Sequence, residues 1–276
     1  MSETKKLGNF TTRMIINVLG IPAILFLIKI GRLPFALFMG LVALLAQVEF
    51  YRLMQRKGYQ PWSISGIGCG VAWIVVSYFA QELLFPLMIL VFLVHMGIIL
   101  FKPIENATAN IAVTLFGFIY IPVMLSILVV LRETTGHLEG GQLVTIIFVT
   151  IWICDALAFV FGKWLGKKRI APSISPGKTW AGCIGGLLGA IATVVLIDYL
   201  GWKPAYLQLK DMIVIGLIAG IFGQSGDFIE SVIKRDVNVK DSSSLLMGHG
   251  GVMDRFDSFL FAPGFVYLYM LFSVWN

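Results

Sequence analysis

The stretch GQLVTIIFVTIWICDALAFVFGKWLGKK, residues 141–168, decides the fold class. Residues 142–162 form one long apolar run, interrupted by a single charge at Asp155 and followed by a loop rich in lysine. A membrane-spanning helix needs about 20 mostly apolar residues. The run therefore predicts a transmembrane helix that ends in a short basic loop.

Comparable runs recur from residue 14 to the end of the chain. Of the 276 residues, 58% are hydrophobic and 13% are charged. A soluble protein of this length could not bury the apolar surface of so many hydrophobic residues. We predict an all-α, polytopic integral membrane bundle of about nine transmembrane helices. The predicted spans are 14–31, 34–50, 63–80, 83–101, 108–131, 142–162, 181–200, 211–233 and 258–275.

The basic residues indicate the orientation of the chain. With the N-terminus in the cytoplasm, sixteen of the 21 Lys and Arg residues lie on the inner side, as the positive-inside rule requires. Two charge-rich segments, 163–180 and 234–257, then face the cytoplasm. Because the net charge of +6 belongs to short loops, it does not indicate nucleic-acid binding. The three widely spaced cysteines predict neither a disulfide framework nor a zinc site.

The segment SPGKT, residues 175–179, carries donors suited to phosphate on Ser175, Lys178 and Thr179. We expect Pro176–Gly177 to form a turn. The glycine and lysine spacing of a P-loop is absent, so the segment is not a P-loop. The alternative is a cytoplasmic loop whose cations only hold the topology.

The segment GQSGDFIESVIKRD, residues 223–236, places charges at the end of a span. On a helix, Asp227, Ser231 and Lys234 share one face. Glu230 and Lys234 are also four residues apart, and the alternative to a functional role is an ion pair between them. Small residues let another group approach the backbone, so we expect a ligand or metal near Asp227. These small residues are Gly223, Ser225 and Gly226.

The segment KDSSSLLMGHGGVMDRFDS, residues 240–258, contains Asp254 and Asp257 three residues apart. Two carboxylates held on one helix face repel each other unless a cation lies between them. Mg²⁺ commonly binds one or two carboxylates and shares the rest of its shell with substrate phosphates. The pair therefore predicts a magnesium site.

A glycine turn precedes these aspartates. Backbone N–H groups around Gly250 and Gly251 could face an anion, and Lys240 and Arg255 add positive charge. His249 on its own is as well explained as a loop histidine. Together these residue types indicate a site for Mg²⁺ and a polyphosphate at the cytoplasmic face of the bundle, where phosphoryl or nucleotidyl transfer needs metal ions, cations and positioning.

The segment SVIKRDVNVKDSSSLLMGHGGVMDRFDS, residues 231–258, resembles the signature of the phosphatidate cytidylyltransferases, also called CDP-diacylglycerol synthases. The segments CDALAFVFGKWLGK (154–167) and SPGKTWAG (175–182) are similar to further parts of that family's pattern. The resemblance is strong from about residue 150 to 265 and looser before. It implies that CTP and phosphatidate react to give CDP-diacylglycerol and pyrophosphate.

The resemblance also implies roles for individual residues. The catalytic set that it implies is Asp227, Lys234, Arg235, Lys240, Asp241, His249, Asp254, Arg255 and Asp257. The implied substrate-binding set is Ser175, Lys178, Thr179, Ser231, Gly250, Gly251 and Asp155. The implied Mg²⁺ ligands are Asp227, Asp254 and Asp257, with room for a second, monovalent cation.

We expect residues 1–140 to form a helical scaffold that faces lipid or a second copy of the chain, and residues 141–276 to form the catalytic region. The expected partners are CTP, phosphatidate in the cytoplasmic leaflet and membrane lipids, and a homodimer remains open. The expected location is a bacterial inner membrane. One alternative is another CTP-dependent lipid enzyme, such as a polyprenol or phytol kinase. An ion-coupled transporter is favoured less, because the charges gather on one membrane side and no repeated broken helices are visible.

Overall fold

The computed structural model describes residues 18–101, 105–134, 136–243, 245 and 250–275. Its helices are α1 Val18–Ile30, α2 Arg32–Arg56, α3 Ser63–Phe79, α4 Gln81–Ile99, α5 Ala107–Thr134, α6 His137–Leu165, α7 Trp180–Tyr199, α8 Leu209–Asp236, α9 Met253–Phe256 and α10 Ser258–Val274. An antiparallel hairpin of β1 Arg169–Ala171 and β2 Ser175–Thr179 follows α6 along the chain. The helix α8 contains one wide, π-helical turn at Ala219–Gly223.

Within the described ranges, six helices are long and apolar enough to cross a membrane. They are α2, α4, α5, α6, α7 and α8. The shorter apolar helices α1, α3 and α10 overlap three further predicted spans. The structure thus confirms an all-α integral membrane protein, whereas the count of nine spans and the cytoplasmic N-terminus remain predictions.

The small hairpin was not predicted. Its turn lies at residues 172–174, so the predicted turn at Pro176–Gly177 is wrong. Between the strand pairs Arg169–Thr179 and Ala171–Ser175, one residue of β1 faces three residues of β2. Pro176 and Gly177 therefore lie in a bulge, where a proline is tolerated because no ladder N–H is needed from it.

The described chain forms two compact units. Unit one contains the described residues up to Val129 together with Val239–Arg255. Unit two contains Val130–Asn238 and the described residues from Phe256 onward. The expected functional division between residues 140 and 141 remains a prediction.

Unit one is built on α2, which packs against α3 and α5. Buried polar groups tie these three helices together. Gln47 on α2 donates from Nε2 to the carbonyl oxygen of Gly66 on α3 at 3.0 Å. Tyr51, also on α2, donates to the carbonyl oxygen of Thr114 on α5 at 2.8 Å. Such hydrogen bonds hold helices together where lipid supplies little hydrophobic driving force.

Unit two is built on α6, α7 and α8. The backbones of α6 and α7 approach so closely at several glycines of α7 that a side chain would not fit between them. A Cβ atom added at Gly185 would lie 2.5 Å from the ring of Phe161, and one at Gly186 would lie 2.8 Å from the carbonyl oxygen of Cys154. Small residues at a membrane helix interface let the backbones approach in this way. The glycines on this face of α7 are Gly182, Gly185, Gly186 and Gly189.

We predict that Gly186→Leu lowers the free energy of unfolding by about 3 kcal/mol, because its side chain meets backbone that cannot rotate away. Thermal unfolding in detergent, followed by the loss of monodisperse protein, measures this. The matched control is Gly68→Ala on α3, where an added Cβ meets nothing within 4 Å. Equal stability of the two variants would contradict the packing described for α6 and α7.

Candidate active site

Unit two brings together four charged residues from separate segments, which we call the acidic cluster. Its members are Asp155 on α6, Lys178 on β2, Asp227 on α8 and Asp257 just before α10. Nζ of Lys178 lies 2.8 Å from Oδ2 of Asp227. The charges of Asp227 and Asp155 both act on Asp257. All four residues were predicted from the sequence, and the cluster opposes three carboxylates to one ammonium group.

Lys178 is held at the cluster by contacts with α8. Its ammonium group lies 3.9 Å from the centre of the Phe228 ring, a favourable cation–π contact. It also donates to the carbonyl oxygen of Gln224 at 3.5 Å. The hairpin that carries Lys178 is fixed in turn, since Nε of Arg235 donates to the carbonyl oxygen of Ile174 at 3.1 Å. The predicted cation Arg235 thus supports the position of Lys178.

Small residues beside Asp227 admit a segment of the chain itself. A Cβ atom at Gly226 would lie 2.5 Å from the carbonyl oxygen of Asp257. The backbone of Asp257 therefore passes directly over α8 at this point. The expectation that small residues here admit a ligand is replaced at Gly226 by this backbone contact, which brings a second carboxylate to Asp227.

The surroundings of Asp257 oppose its ionisation. Desolvation by the surrounding protein, followed by the negative charges of Asp227 and Asp155, raises the pKa of Asp257 from 3.8 to about 8. The N–H of Ser258, which donates to Oδ1 of Asp257 at 2.7 Å, and the charge of Lys234 lower the pKa in part. A carboxyl group in this setting gains from a nearby cation.

In the second half of α8, side chains four residues apart are in contact, and one contact is the ion pair that was the alternative to a functional role. Nζ of Lys234 lies 2.7 Å from Oε2 of Glu230, which is fully buried. Ser231 donates to Oδ1 of Asp227 at 3.4 Å. Lys234 is therefore paired inside unit two, and the catalytic role that the resemblance implies for it stays a prediction.

Asp254 belongs to unit one and is surrounded by hydrogen-bond donors. Its Oδ2 accepts from the amide of Gly251 at 2.6 Å and from the amide of Ser242 at 3.0 Å. The hydroxyl of Ser242 lies 3.0 Å from the same oxygen. Gly250 has a φ of 79°, and a Cβ there would lie 2.4 Å from Oδ2. In this structure the glycine turn therefore folds around a carboxylate, and its contact with a bound anion remains a prediction.

Sequence reasoning missed one residue of this region, Glu49 on α2. Its side chain is buried and accepts hydrogen bonds from the amides of Val252 and Met253 at 3.0 and 2.9 Å. The signal that could have found it is the one that singled out Asp155, a carboxylate inside an apolar helix.

The other predicted residues are placed less centrally. Oγ1 of Thr179 accepts from the amide of Gly182 at 3.2 Å and so caps α7. Ser175 pairs with β1 in the hairpin. His249 lies outside the described residues. Three predicted residues are exposed, namely Lys240, Asp241 and Arg255.

The acidic cluster fits a magnesium ion by its chemistry. In the part of the chain that the structure describes, no group of three or more His, Cys, Asp or Glu side chains is arranged to hold a metal ion. Mg²⁺ needs fewer protein ligands, since it commonly takes one or two carboxylates together with water or substrate phosphates. Asp227 and Asp257 supply such oxygens, and the cluster already holds a cation in the ammonium group of Lys178.

Comparison with known proteins gives consistent matches. The model of the cytidylyltransferase family matches residues 11–273. The chain is 32% identical to a phosphatidate cytidylyltransferase of Bacillus subtilis, over 95% of this chain and 98% of the relative. It is also 32% identical to one of Synechocystis sp., over 95% and 96% of the two chains. A relative from Staphylococcus aureus is 42% identical over 45% of this chain and 46% of its own length.

The raised pKa of Asp257 predicts a stability that depends on pH. The pKa of Asp257 is about 8 in the folded protein and 3.8 for an ordinary aspartate, as in the unfolded chain. The protonated carboxyl therefore contributes stability that is fully present below about pH 4 and is lost as the pH rises through about 8. Without divalent cations, the wild type should therefore lose thermal stability between about pH 6 and about pH 9 relative to Asp257→Asn, whose amide does not ionise. Parallel melting temperatures for the two proteins across this range would contradict the prediction.

Proposed function

This chain belongs to the cytidylyltransferase family, and we propose that it catalyses the reaction of CTP with phosphatidate to give CDP-diacylglycerol and pyrophosphate. The observation that carries the proposal is the similarity, along 95% of the chain, to two proteins named phosphatidate cytidylyltransferase. The matched range includes the acidic cluster, whose carboxylates and lysine suit phosphate chemistry. The chain is accordingly a nucleotidyltransferase of phospholipid biosynthesis.

The reaction makes one phosphorus–oxygen bond and breaks another. An oxygen of the lipid phosphate attacks the α-phosphorus of CTP, and the bond from that phosphorus to the oxygen bridging the β-phosphorus breaks in line with the attack. Pyrophosphate leaves with the electron pair of the broken bond. Because the lipid phosphate is already an anion, the protein does not need to supply a strong general base.

We propose that Asp227 and Asp257 hold Mg²⁺ and that a second, monovalent cation takes part. Asp254, which belongs to unit one, stays a predicted metal ligand. The support is that three carboxyl groups face one ammonium group in the acidic cluster, and that burial and the neighbouring carboxylates oppose the ionisation of Asp257 unless a cation lies near it. When bound, Mg²⁺ neutralises charge on the triphosphate and helps to orient the reacting phosphorus.

We propose that Lys178 and Arg235 of unit two serve phosphate binding. Lys178 lies beside Asp227 on a hairpin fixed to α8, so its ammonium group can contact a phosphate of CTP or of the lipid. Arg235 keeps that hairpin in place. The exposed residues Lys240 and Arg255 are assigned to the triphosphate, with His249 and the glycine turn assigned to pyrophosphate.

We also propose an orientation in the membrane. The distribution of Lys and Arg supports a cytoplasmic N-terminus and an active site that faces the cytoplasm, where CTP is found. The full-length relatives are bacterial, which supports a location in a bacterial inner membrane, with phosphatidate taken from the cytoplasmic leaflet. A homodimer through the helices of residues 1–140 is part of the proposal.

The experiment uses purified protein in detergent or lipid, Mg²⁺, phosphatidate and CTP labelled at its α-phosphorus. We expect label to enter the lipid together with an equal amount of pyrophosphate. Omitting phosphatidate, or chelating the divalent cation, is the control that should abolish both products. Labelled CDP without labelled lipid would contradict the proposal and would indicate γ-phosphoryl transfer, as in a polyprenol or phytol kinase.

In the same assay, Asp227→Asn is expected to lower turnover more than about 100-fold. The variant removes a proposed metal ligand itself, whereas loss of a residue that only orients a ligand typically costs about 10- to 100-fold. The matched control is Asp198→Asn. Asp198 also forms an ion pair with a lysine of unit two, Lys203, so the control repeats the loss of one carboxylate charge. Similar activities of the two variants would remove Asp227 from the proposed site.

A further inference from the structure

Glu49 holds together two short segments of the chain, and both are far from Glu49 in the sequence. Its side chain is 3% exposed on the apolar helix α2. Oε1 accepts from the hydroxyl of Ser243 at 2.6 Å and from the amide of Val252 at 3.0 Å. Oε2 accepts from the hydroxyl of Ser242 at 3.1 Å and from the amide of Met253 at 2.9 Å. Four donors thus lie within hydrogen-bond distance of one carboxylate.

These donors form two short segments, Ser242–Ser243 and Gly250–Met253, which we call the loop ends. Each oxygen of Glu49 binds one donor from each loop end, so the carboxylate ties the two ends together and fixes both to α2. Hydrogen bonds to a charged acceptor are about twice as strong as those between neutral groups. The arrangement is therefore a strong clamp rather than a chance contact.

Gly251 is shaped to fit this clamp. A Cβ atom there would lie 2.0 Å from Oγ of Ser242 and 2.4 Å from Oε2 of Glu49. Any other residue would push the carboxylate or the serine away. The glycine at this position is explained by the close approach of Glu49, a requirement inside unit one that is separate from any contact with phosphate.

The clamp leads directly to Asp254. The hydroxyl of Ser242 lies within hydrogen-bond distance of both Glu49 and Asp254. A serine hydroxyl has one hydrogen to donate, so it serves one carboxylate at a time, and Asp254 is also held by the amides of Ser242 and Gly251. The loop ends that Glu49 fixes are therefore the same groups that orient Asp254.

We propose that Glu49 is a positioning residue for cytidylyl transfer, which fixes the loop ends so that Asp254 is presented in one orientation. This inference rests on the proposed function, in which Asp254 is a metal ligand. Groups that orient metal ligands typically change metal affinity or activity about 10- to 100-fold when removed. Glu49 acts through Asp254 and touches no reacting atom.

The variant Glu49→Gln tests this with little change of shape. An amide nitrogen replaces one carboxylate oxygen, and it donates but cannot accept. Whichever way the amide turns, one backbone N–H of Val252 or Met253 then faces another donor. The matched control is Gln47→Met on the same helix, which removes two buried hydrogen bonds to Tyr51 and Gly66 but leaves the loop ends alone.

Two measurements are made on the full-length protein. Hydrogen–deuterium exchange without substrates follows the amides of Gly251, Val252 and Met253. Turnover at saturating CTP and phosphatidate is measured against Mg²⁺ concentration. For Glu49→Gln we expect faster exchange at these amides and a rise of about 10- to 100-fold in the Mg²⁺ concentration for half-maximal turnover. Gln47→Met should lower thermal stability and move neither readout.

A second, milder variant guards against loss of folding. Ser243→Ala removes one of the four hydrogen bonds, and we expect a smaller shift of the Mg²⁺ dependence in the same direction. In the Glu49→Gln background its effect should be smaller than in the wild type, because both changes act through the same Glu49 side chain.

Unchanged exchange in Glu49→Gln, or faster exchange with an unchanged Mg²⁺ dependence, overturns the inference. If the wild type itself transfers no cytidylyl group, the proposed function fails. In that case the exchange rates alone decide whether Glu49 fixes the loop ends.

Discussion

A carboxylate among apolar helices has to be compensated by hydrogen bonds or by positive charge, and both units are organised around this requirement. In unit two, ammonium groups compensate two carboxylates: Lys178 forms an ion pair with Asp227, and Lys234 forms one with the buried Glu230. Unit one uses amides and hydroxyls around Glu49 and Asp254. The difference matters for function, because an ammonium group on a flexible stem can change partners, whereas donors in the backbone are fixed once the chain is folded.

Glycine provides the close approach that each solution needs. Gly226 lets the backbone of Asp257 pass over α8, and Gly251 lets Glu49 reach the loop ends. The same property joins α6 to α7 without side chains between them at Gly186. In all three places the missing side chain makes room for an oxygen atom. The glycines thus belong to the polar architecture of a mainly apolar protein.

Sequence reasoning succeeded where the relevant contact is local. The apolar run 142–162 predicted α6, because a chain in lipid must satisfy its backbone hydrogen bonds within a helix. The spacing of Glu230 and Lys234 allowed an ion pair as the alternative to a functional role, and this pair forms because residues four apart on a helix are neighbours. The members of the acidic cluster were found as charges in or beside spans, although their contacts with one another were not.

The failures concern contacts that no local pattern encodes. Glu49 binds groups that are 193 to 204 residues away in sequence, and periodicity carries no information over such separations. The hairpin was not predicted, because its strands are short and a bulge breaks the alternation of side chains along β2. Pro176–Gly177 has the composition of a turn, but pairing between Arg169 and Thr179 places it in the bulge.

The ion pair between Lys178 and Asp227 couples the binding of a cation at Asp227 to the binding of an anion at Lys178. A cation that binds Asp227 competes with the ammonium group of Lys178, which has to find another partner. An anion that binds Lys178 supplies that partner and frees the carboxylate at the same time. Each ligand therefore raises the affinity for the other, and by thermodynamic linkage the two factors are equal. With the ligands proposed above, one lysine would make this membrane enzyme favour the cation and the polyanion together over either alone.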